Sequence, residues 1–581
     1  MTAAGRLGLA ALGLAALLSC HGRDKPPGEA AQFSGVRPQR ADDLVYFVFV
    51  DRFANGDPTN DKDADPSDPQ AWHGGDLEGV IQRLDHLAAL GVKTLWLSPI
   101  FLCQDQKFYG WGAFHGYWVR DLRVIDPRFG DEATLKRLSE AAERRGMRLV
   151  LDVVYNHTSF DAAALTEHPD WYNPALTIED WNDPEQLVNR QVHGLPDLNQ
   201  QNPEVYAYLR DATLQWALGF GVDGLRIDAV RHMPTDFFAR LHSDLRAAAP
   251  GLWTLGEDFQ GDPRLLAATF AGGGFDAMFD FPLRYALIDS LCRDTHLGRL
   301  GSVLSSDRLY QHPEDLVTFL DNHDMPRVLT ECKGDQDAVR RAWVTQMALR
   351  GVPALTWGAE LHLEGGEEPD NRRDMPWERA GDVDPTLKAL IQLREANPWL
   401  RDAPSQVLRV DEAGLTVLRV GPESVALLEL NLSETERPSD QLGPGPWSGV
   451  SSTGAGCAGP VPPRSARVCV GSMPGEVLAS LTTRVLNPAP TRLTLRVAEA
   501  SEGLLVVGSA PELGAWSPEA GVPLTPDPAG GVSATIVAPA GTVFAYKLVR
   551  RGPDGAVTWE ERGDRYALLN EDAEVVLGWG E

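Results

Sequence analysis

Cysteine is scarce in this sequence, with six residues in 581. Cys103, Cys292 and Cys332 show no metal-ligand spacing, which argues against a cysteine-built metal centre. Basic side chains are in deficit as well: 53 Lys and Arg face 82 Asp and Glu, for a formal net charge of −29. That sign argues against nucleic acid and anionic membrane surfaces as partners and suits a neutral polymer or oxygen-ligated cations. Apolar runs suited to a membrane are absent beyond the N-terminus, and no helical or solenoid repeat recurs. The apolar share, 43%, is that of an ordinary globular protein, so disorder of the whole chain is excluded. Tryptophan is plentiful, with 16 residues, most of them accounted for by packing.

The stretch from Met1 to Cys20 carries one basic residue, Arg6, then an Ala/Leu/Gly-rich segment, then Leu17-Leu18-Ser19-Cys20. It is too short to span a bilayer and reads as a signal peptide. Ser19 before Cys20 resembles a bacterial lipoprotein signal, in which Cys20 is lipidated, although Leu18 is a less usual residue there. The expectation is an exported protein, either a cell-envelope lipoprotein touching the membrane only through its lipid or a secreted one. Five cysteines remain after Cys20, so at least one thiol stays free. Cys457 and Cys469 are close enough to staple a small β-domain.

Residues 21–41 are polar, with Pro26-Pro27-Gly28, and read as a tether. From 42 to 382, β-rich runs at 45–50, 94–98, 148–154, 224–228, 253–256, 275–281, 316–320 and 354–357 alternate with helical stretches such as 77–90 and 131–145. Eight strands in βα alternation predict an α/β fold, a (β/α)8 TIM barrel, with a short inserted loop domain at about 158–195. A small antiparallel β-domain is expected over 383–472, with helices fading after 387–395, and a C-terminal β-sandwich over 478–581. The proline-containing link 487–490 falls inside the start of that last unit.

Barrel chemistry belongs at the C-terminal ends of the strands. Asp228 ends one predicted strand, Glu257 follows the next, and Asp324 follows the seventh. Arg226 stands two residues before Asp228, so both side chains face one side of the strand. A nucleophilic carboxylate, a protonated carboxylic acid and a cation holding the nucleophile ionised are what glycoside hydrolysis requires.

Five motifs occur in the order typical of the α-amylase family. They are Asp152-Val153-Val154-Tyr155-Asn156-His157, Leu195-Pro196-Asp197-Leu198-Asn199, the Arg226/Asp228 strand, Gly256-Glu257, and Asn322-His323-Asp324. Over roughly 42–472 the chain therefore resembles that family, glycoside hydrolase family 13, in its cyclodextrin glycosyltransferase/maltogenic amylase-like group. The resemblance implies retaining hydrolysis of α-1,4-glucosidic bonds in starch and maltooligosaccharides, with Asp228 as nucleophile, Glu257 as acid/base and Asp324 supporting the transition state. It implies sugar contacts from His157 and His323, with Tyr117 stacked beneath the sugar and Glu368 and Arg372 as a donor-side clamp; Trp118 packs or binds. It further implies a Ca2+ held by Asn156, Asp197 and the carbonyl of His232, the last counted among the sugar-side residues too. A second calcium loop is implied at Asn55, Asp57, Asn60, Asp61, Gly74 and Asp76, where a plain turn is the competing reading.

Residues 478–581 resemble a family 20 starch-binding domain, through Glu512-Leu513-Gly514-Ala515-Trp516, Phe544-Ala545-Tyr546-Lys547 and Val557-Thr558-Trp559-Glu560. Trp516 and Trp559 would form the platform and Lys547 would donate to hydroxyls. Asp564 stands where that family usually has Asn, and no aromatic occurs near Ala500-Ser501-Glu502, so one binding site is expected rather than two. An endo-acting α-amylase, expected as a monomer, is the leading reading. A cyclodextrin- or pullulan-degrading hydrolase or a glucan transglycosylase is the alternative. A non-catalytic starch-capturing lipoprotein would need a degraded triad, and all three acids are present.

Overall fold

The computed structural model describes residues 44–442, 446–498 and 502–579. Cys20, the signal and the tether lie outside them. All eight predicted runs form strands: Val45–Val48, Thr94–Leu97, Arg148–Val153, Gly224–Ile227, Trp253–Gly256, Ala277–Phe279, Leu316–Thr318 and Val352–Thr356. They are parallel and pair in sequence order, and Val45 opposite Ala354 closes the barrel. Nearly every strand residue is buried on either face, as helices outside and side chains inside require. The sixth strand is shorter than its predicted run because Phe281 opens helix Phe281–Leu291, with Asp280 as its N-cap accepting from Leu283 N.

Helix Leu77–Leu90 buries Leu77, Val80, Leu84, Leu87 and Leu90, a 3.6-period stripe, and Asp76 caps it through Gly79 N. The inserted loop is tied to the barrel mouth by bridges between His157 and Asp197 and between Tyr172 and Leu198.

Two predicted boundaries move. Helix Pro385–Ala396 buries Leu387, Leu390 and Ile391 in the barrel core, so it completes the barrel rather than opening the next unit. The small sheet then begins at Ser405–Val410 and continues through Gly414–Val420, Ser424–Asn431, Ser465–Ser472 and Trp447–Ser451, in that spatial order. Cys457 and Cys469 are disulfide-bonded, as are Cys292 and Cys332, which leaves Cys103 as a buried free thiol. Residues 475–486, partly assigned to the sandwich from sequence, form helix Gly475–Leu486, whose Leu481 packs on Leu418, Val420, Val425 and Leu427 of the small sheet.

The sandwich starts at Pro490–Val497 and its two sheets enclose Leu493, Leu495, Val506, Phe544, Tyr546 and Leu548. It docks on the barrel. Helix Gly298–Ser305 lies against strand Thr542–Arg551, Ser302 Oγ is 2.9 Å from Ser509 Oγ, and Val543 N donates to Ser305 Oγ at 2.7 Å. Arg308 grips Glu512 with two hydrogen bonds, of 2.7 and 2.5 Å. Gly298 makes this seat possible, since a Cβ there would lie 2.3 Å from Cγ of Tyr566, whose ring stacks on His296. Gly298→Val should therefore cost about 1–3 kcal/mol of overpacking at the seat. Limited proteolysis should release a fragment near the 475–490 connection from the variant and not from the parent; equal resistance would show that the seat is loose.

Candidate active site

The chemistry is organised around one guanidinium. Arg226 is fully buried and lies opposite Asp152 in strand register. Its Nη1 donates to Asp152 Oδ1 at 2.9 Å and to Asp228 Oδ1 at 2.6 Å. Its Nη2 faces Glu257 Oε1 at an ion-pair distance of 2.6 Å but outside hydrogen-bond alignment, so Glu257 is attracted without being locked. The Trp96 and Tyr117 rings lie over the guanidinium at 5.3 and 5.8 Å. Burial opposes the charge on Arg226, yet Asp152 and Glu257 outweigh it and hold the guanidinium well above its ordinary pKa.

The carboxyls respond in kind. Burial, reinforced by Asp228, raises Glu257 above the usual carboxylate range against the pull of Arg226. Burial, then the Glu257 charge, raises Asp324 well above it too. Asp324 also meets His323 Nε2 at 3.2 Å and Arg372 Nη2 at 3.4 Å. Arg372 reaches Glu368 at 2.7 Å, so the two clamp residues flank Asp324.

Tyr117 donates its hydroxyl to Asp152 at 2.8 Å, and its ring stacks on His323 at 4.9 Å with planes 2° apart. Burial lowers His323 well below the ordinary imidazole pKa and His157 to about 4, so both rings are neutral. His157 Nε2 donates to the Tyr117 carbonyl at 3.1 Å, and Asn156 Nδ2 lies 3.4 Å from its Nδ1. The sugar contact expected of His157 thus exchanges one of these partners. Trp118 is half-buried and packs edge-on against His115.

Sequence reasoning missed Asp152 as a site residue. Its signal was a carboxylate inside an otherwise apolar strand, and it accepts from Trp96 Nε1 at 3.1 Å as well as from Tyr117 and Arg226. It also missed Trp181, 45% exposed and 6.3 Å from His193, and Phe259, 41% exposed and two residues past Glu257. Arg52 was missed too: it is buried, paired with Asp51, and donates to the Arg372 carbonyl at 2.9 Å.

Two oxygen-rich clusters suit a hard cation. Strand bridge His157–Asp197 brings Asn156 and Asp197 together. Asn156 Oδ1 is buried without a hydrogen-bond partner, and burial raises Asp197 to about 7 with only Asn173 donating to it. An unpaired amide oxygen beside a buried carboxylate is a donor set of the kind that fits a hard cation. His232 follows the fourth strand, with its ring Nδ1 on the Leu187 carbonyl at 3.0 Å. In the second cluster Asn55 Nδ2 donates to both Asp61 oxygens at 2.8 Å, beside Gly74, where φ is +87° and a Cβ would lie 2.6 Å from Asp61 Oδ1. Asp76 accepts from Gly56 N, Asp57 N and Asn60 Nδ2, while Asn60 Oδ1 is buried and unpaired and Asp57 accepts from Thr59. A third grouping, His312, Glu314 and Asp315, precedes the seventh strand at the opposite end of the barrel.

On the sandwich, Lys547 and Val549 share a face of one strand, opposite Val507 and Trp559 respectively. Trp516 packs on Leu505, Val507 and Val549, with its ring 6.4 Å from Trp559, which is 37% exposed. The three predicted starch-binding residues thus lie together. The predicted lack of a second site concerns Ala500-Ser501-Glu502, of which Ala500 and Ser501 lie outside the described residues.

A closed barrel with buried acids at successive strand ends, joined to a β-sandwich, defines a barrel glycoside hydrolase with an appended carbohydrate-binding module. The profile for the alpha amylase catalytic domain matches residues 47–403, and that for a starch binding domain matches 490–578. The chain belongs to the α-amylase family. A cyclomaltodextrin glucanotransferase of Klebsiella oxytoca is 26% identical over 91% of this chain and 92% of its own. A beta/alpha-amylase of Paenibacillus polymyxa is 31% identical over 67% of this chain, which spans only 33% of that longer protein. Among solved structures, an Anoxybacillus α-amylase is 30% identical with a TM-score of 0.69, covering 75% of this chain and 98% of its own.

Proposed function

We propose that this protein is a retaining, endo-acting α-amylase that hydrolyses α-1,4-glucosidic bonds in starch. The observation that carries the reading is the shared guanidinium, which sets Asp228 and Glu257 against one cation in one cleft. Asp228, held by Arg226, attacks the anomeric carbon. Glu257, with its raised pKa, donates its proton to the departing oxygen and later takes one from water. Asp324 and His323 hold hydroxyls of the distorted sugar, and Arg372 with Glu368 holds the donor side. The segment ending at Cys20 supports export, with a lipid anchor.

Water is the acceptor in this reading because His193, exposed at φ +52°, offers only a small ring on the acceptor side. Exposed Trp181 and Phe259 favour the second reading, a transglycosylase, because their faces could seat an acceptor sugar. Mass-resolved products from soluble starch separate the two. Linear maltooligosaccharides should dominate from the start, whereas cyclic glucans as the major early product would overturn the hydrolase. The same assay across pH should show an alkaline limb above the ordinary carboxylate range, because activity is lost as pH rises through the raised Glu257 pKa.

Calcium at Asn156 and Asp197, and in the Asn55–Asp76 loop, would pin the inserted loop and the first βα connection to the barrel. Calcium at about 100 times its Kd should then stabilise the fold by about 2.7 kcal/mol per site. Exhaustive chelation should lower Tm and added calcium restore it, with the response reduced in Asp197→Asn; an unchanged Tm on metal-free protein would dismiss both sites.

The tryptophan pair should serve polymer capture alone. Trp516→Ala with Trp559→Ala should weaken adsorption to granular starch about 30-fold, from two ring faces at about 1 kcal/mol each. Turnover of maltotriose should stay unchanged; an equal loss on both substrates would make the pair structural.

A further inference from the structure

An open cavity of about 540 Å3 lies beside the donor clamp, lined by Arg293, Pro326, Thr330, Glu331, Lys333, Gly366 and Glu367. Its walls are built from the site's own loops. Pro326 stands two residues past Asp324, and Gly366 and Glu367 directly precede Glu368. Arg327 N donates to the Gly365 carbonyl at 2.9 Å and Gly365 N to Thr330 Oγ1 at 3.0 Å, which ties the two loops together. The far wall is fixed as well: disulfide Cys292–Cys332 joins the segment carrying Arg293 to the one carrying Lys333. Arg293 Nη2 also meets Glu331 at 2.6 Å.

The lining selects a ligand class. Two cations and two carboxylates balance, so neither an anion nor a cation is favoured. Arg293 and Glu331 are paired with each other and with Asp289 and Arg284, so Lys333, Glu367 and the Thr330 hydroxyl supply the donors and acceptors, while the Pro326 ring and the Lys333 stem offer apolar surface. A neutral polyol with alternating hydroxyl and C–H faces fits such a wall. A volume of this size lies in the range of small-ligand sites and holds more than one sugar ring.

We propose that this cavity is a remote glucan subsite, which holds glucosyl units of a long chain beyond the Glu368/Arg372 clamp. The assignment rests on reading that clamp as the donor side. Short substrates end before the cavity and long ones enter it, so it sets chain-length preference without touching the bond that breaks.

Two surface variants test it. Lys333→Ala removes a donor, and Gly366→Leu fills the space, since a Cβ at Gly366 meets only Asp370 Oδ2 at an ordinary 3.5 Å. Each should lower kcat/KM on maltooctaose about tenfold, the loss of one or two hydrogen bonds to hydroxyls. Maltotriose should be consumed within about twofold of the parent rate, a change too small for a lost hydrogen bond. Calorimetric binding of the two sugars to a Glu257→Gln background should show the same split. That readout holds whether the enzyme hydrolyses or transfers, so failure here is separable from failure of the amylase reading. Equal losses on both sugars, or no loss on either, would overturn the subsite.

Discussion

The active site depends on a buried cation that is outnumbered. Arg226 has no exposed surface and faces Asp152, Asp228 and Glu257 at 2.9, 2.6 and 2.6 Å. Three ionised carboxylates around one guanidinium would leave excess negative charge in a cleft shielded from water, and the cheapest relief is a proton on one of them. Glu257 is the natural recipient: it is buried, repelled by Asp228, and out of hydrogen-bond alignment with the arginine. The same cation that holds Asp228 by a hydrogen bond thus leaves its neighbour Glu257 as an acid. Two carboxyl groups acquire opposite roles from their placement alone.

Barrel geometry delivers that placement. Strand register sets Asp152 beside Arg226, the two-residue side-chain period carries Asp228 to the same face, and parallel pairing puts the end of the next strand, with Glu257, alongside. The sandwich is part of the same body. Its seat on helix Gly298–Ser305 fixes how the face carrying Trp516 and Trp559 is oriented towards the barrel. A tethered module would only raise local concentration, whereas a seated one also sets orientation.

Much of this was legible in the sequence, because barrel strands are short apolar runs at regular spacing and their acids punctuate the ends. Asp228, Glu257 and Asp324 fall where that pattern puts chemistry, and all eight strands were found. The pattern was silent where position in space rather than in sequence decides the role. Asp152 is a lone acid one residue before the end of its strand, and only register shows that it holds Arg226. Helix Gly475–Leu486 carries a readable stripe, Leu478, Leu481 and Val485, but nothing local says it packs on the small sheet. Helix Pro385–Ala396 likewise looks the same from sequence whether it closes a barrel or opens a β-domain.

In the proposed mechanism the Arg226-held carboxylate, Asp228, is the one that bonds to sugar. A fluorinated maltosyl fluoride, which forms the glycosyl-enzyme readily and releases it slowly, would trap that bond. Peptide mass spectrometry should find one glycosyl adduct, on the peptide containing Asp228, and none in Asp228→Asn. An adduct on another carboxylate, or no adduct while the released sugar has inverted configuration, would contradict Asp228 as the nucleophile.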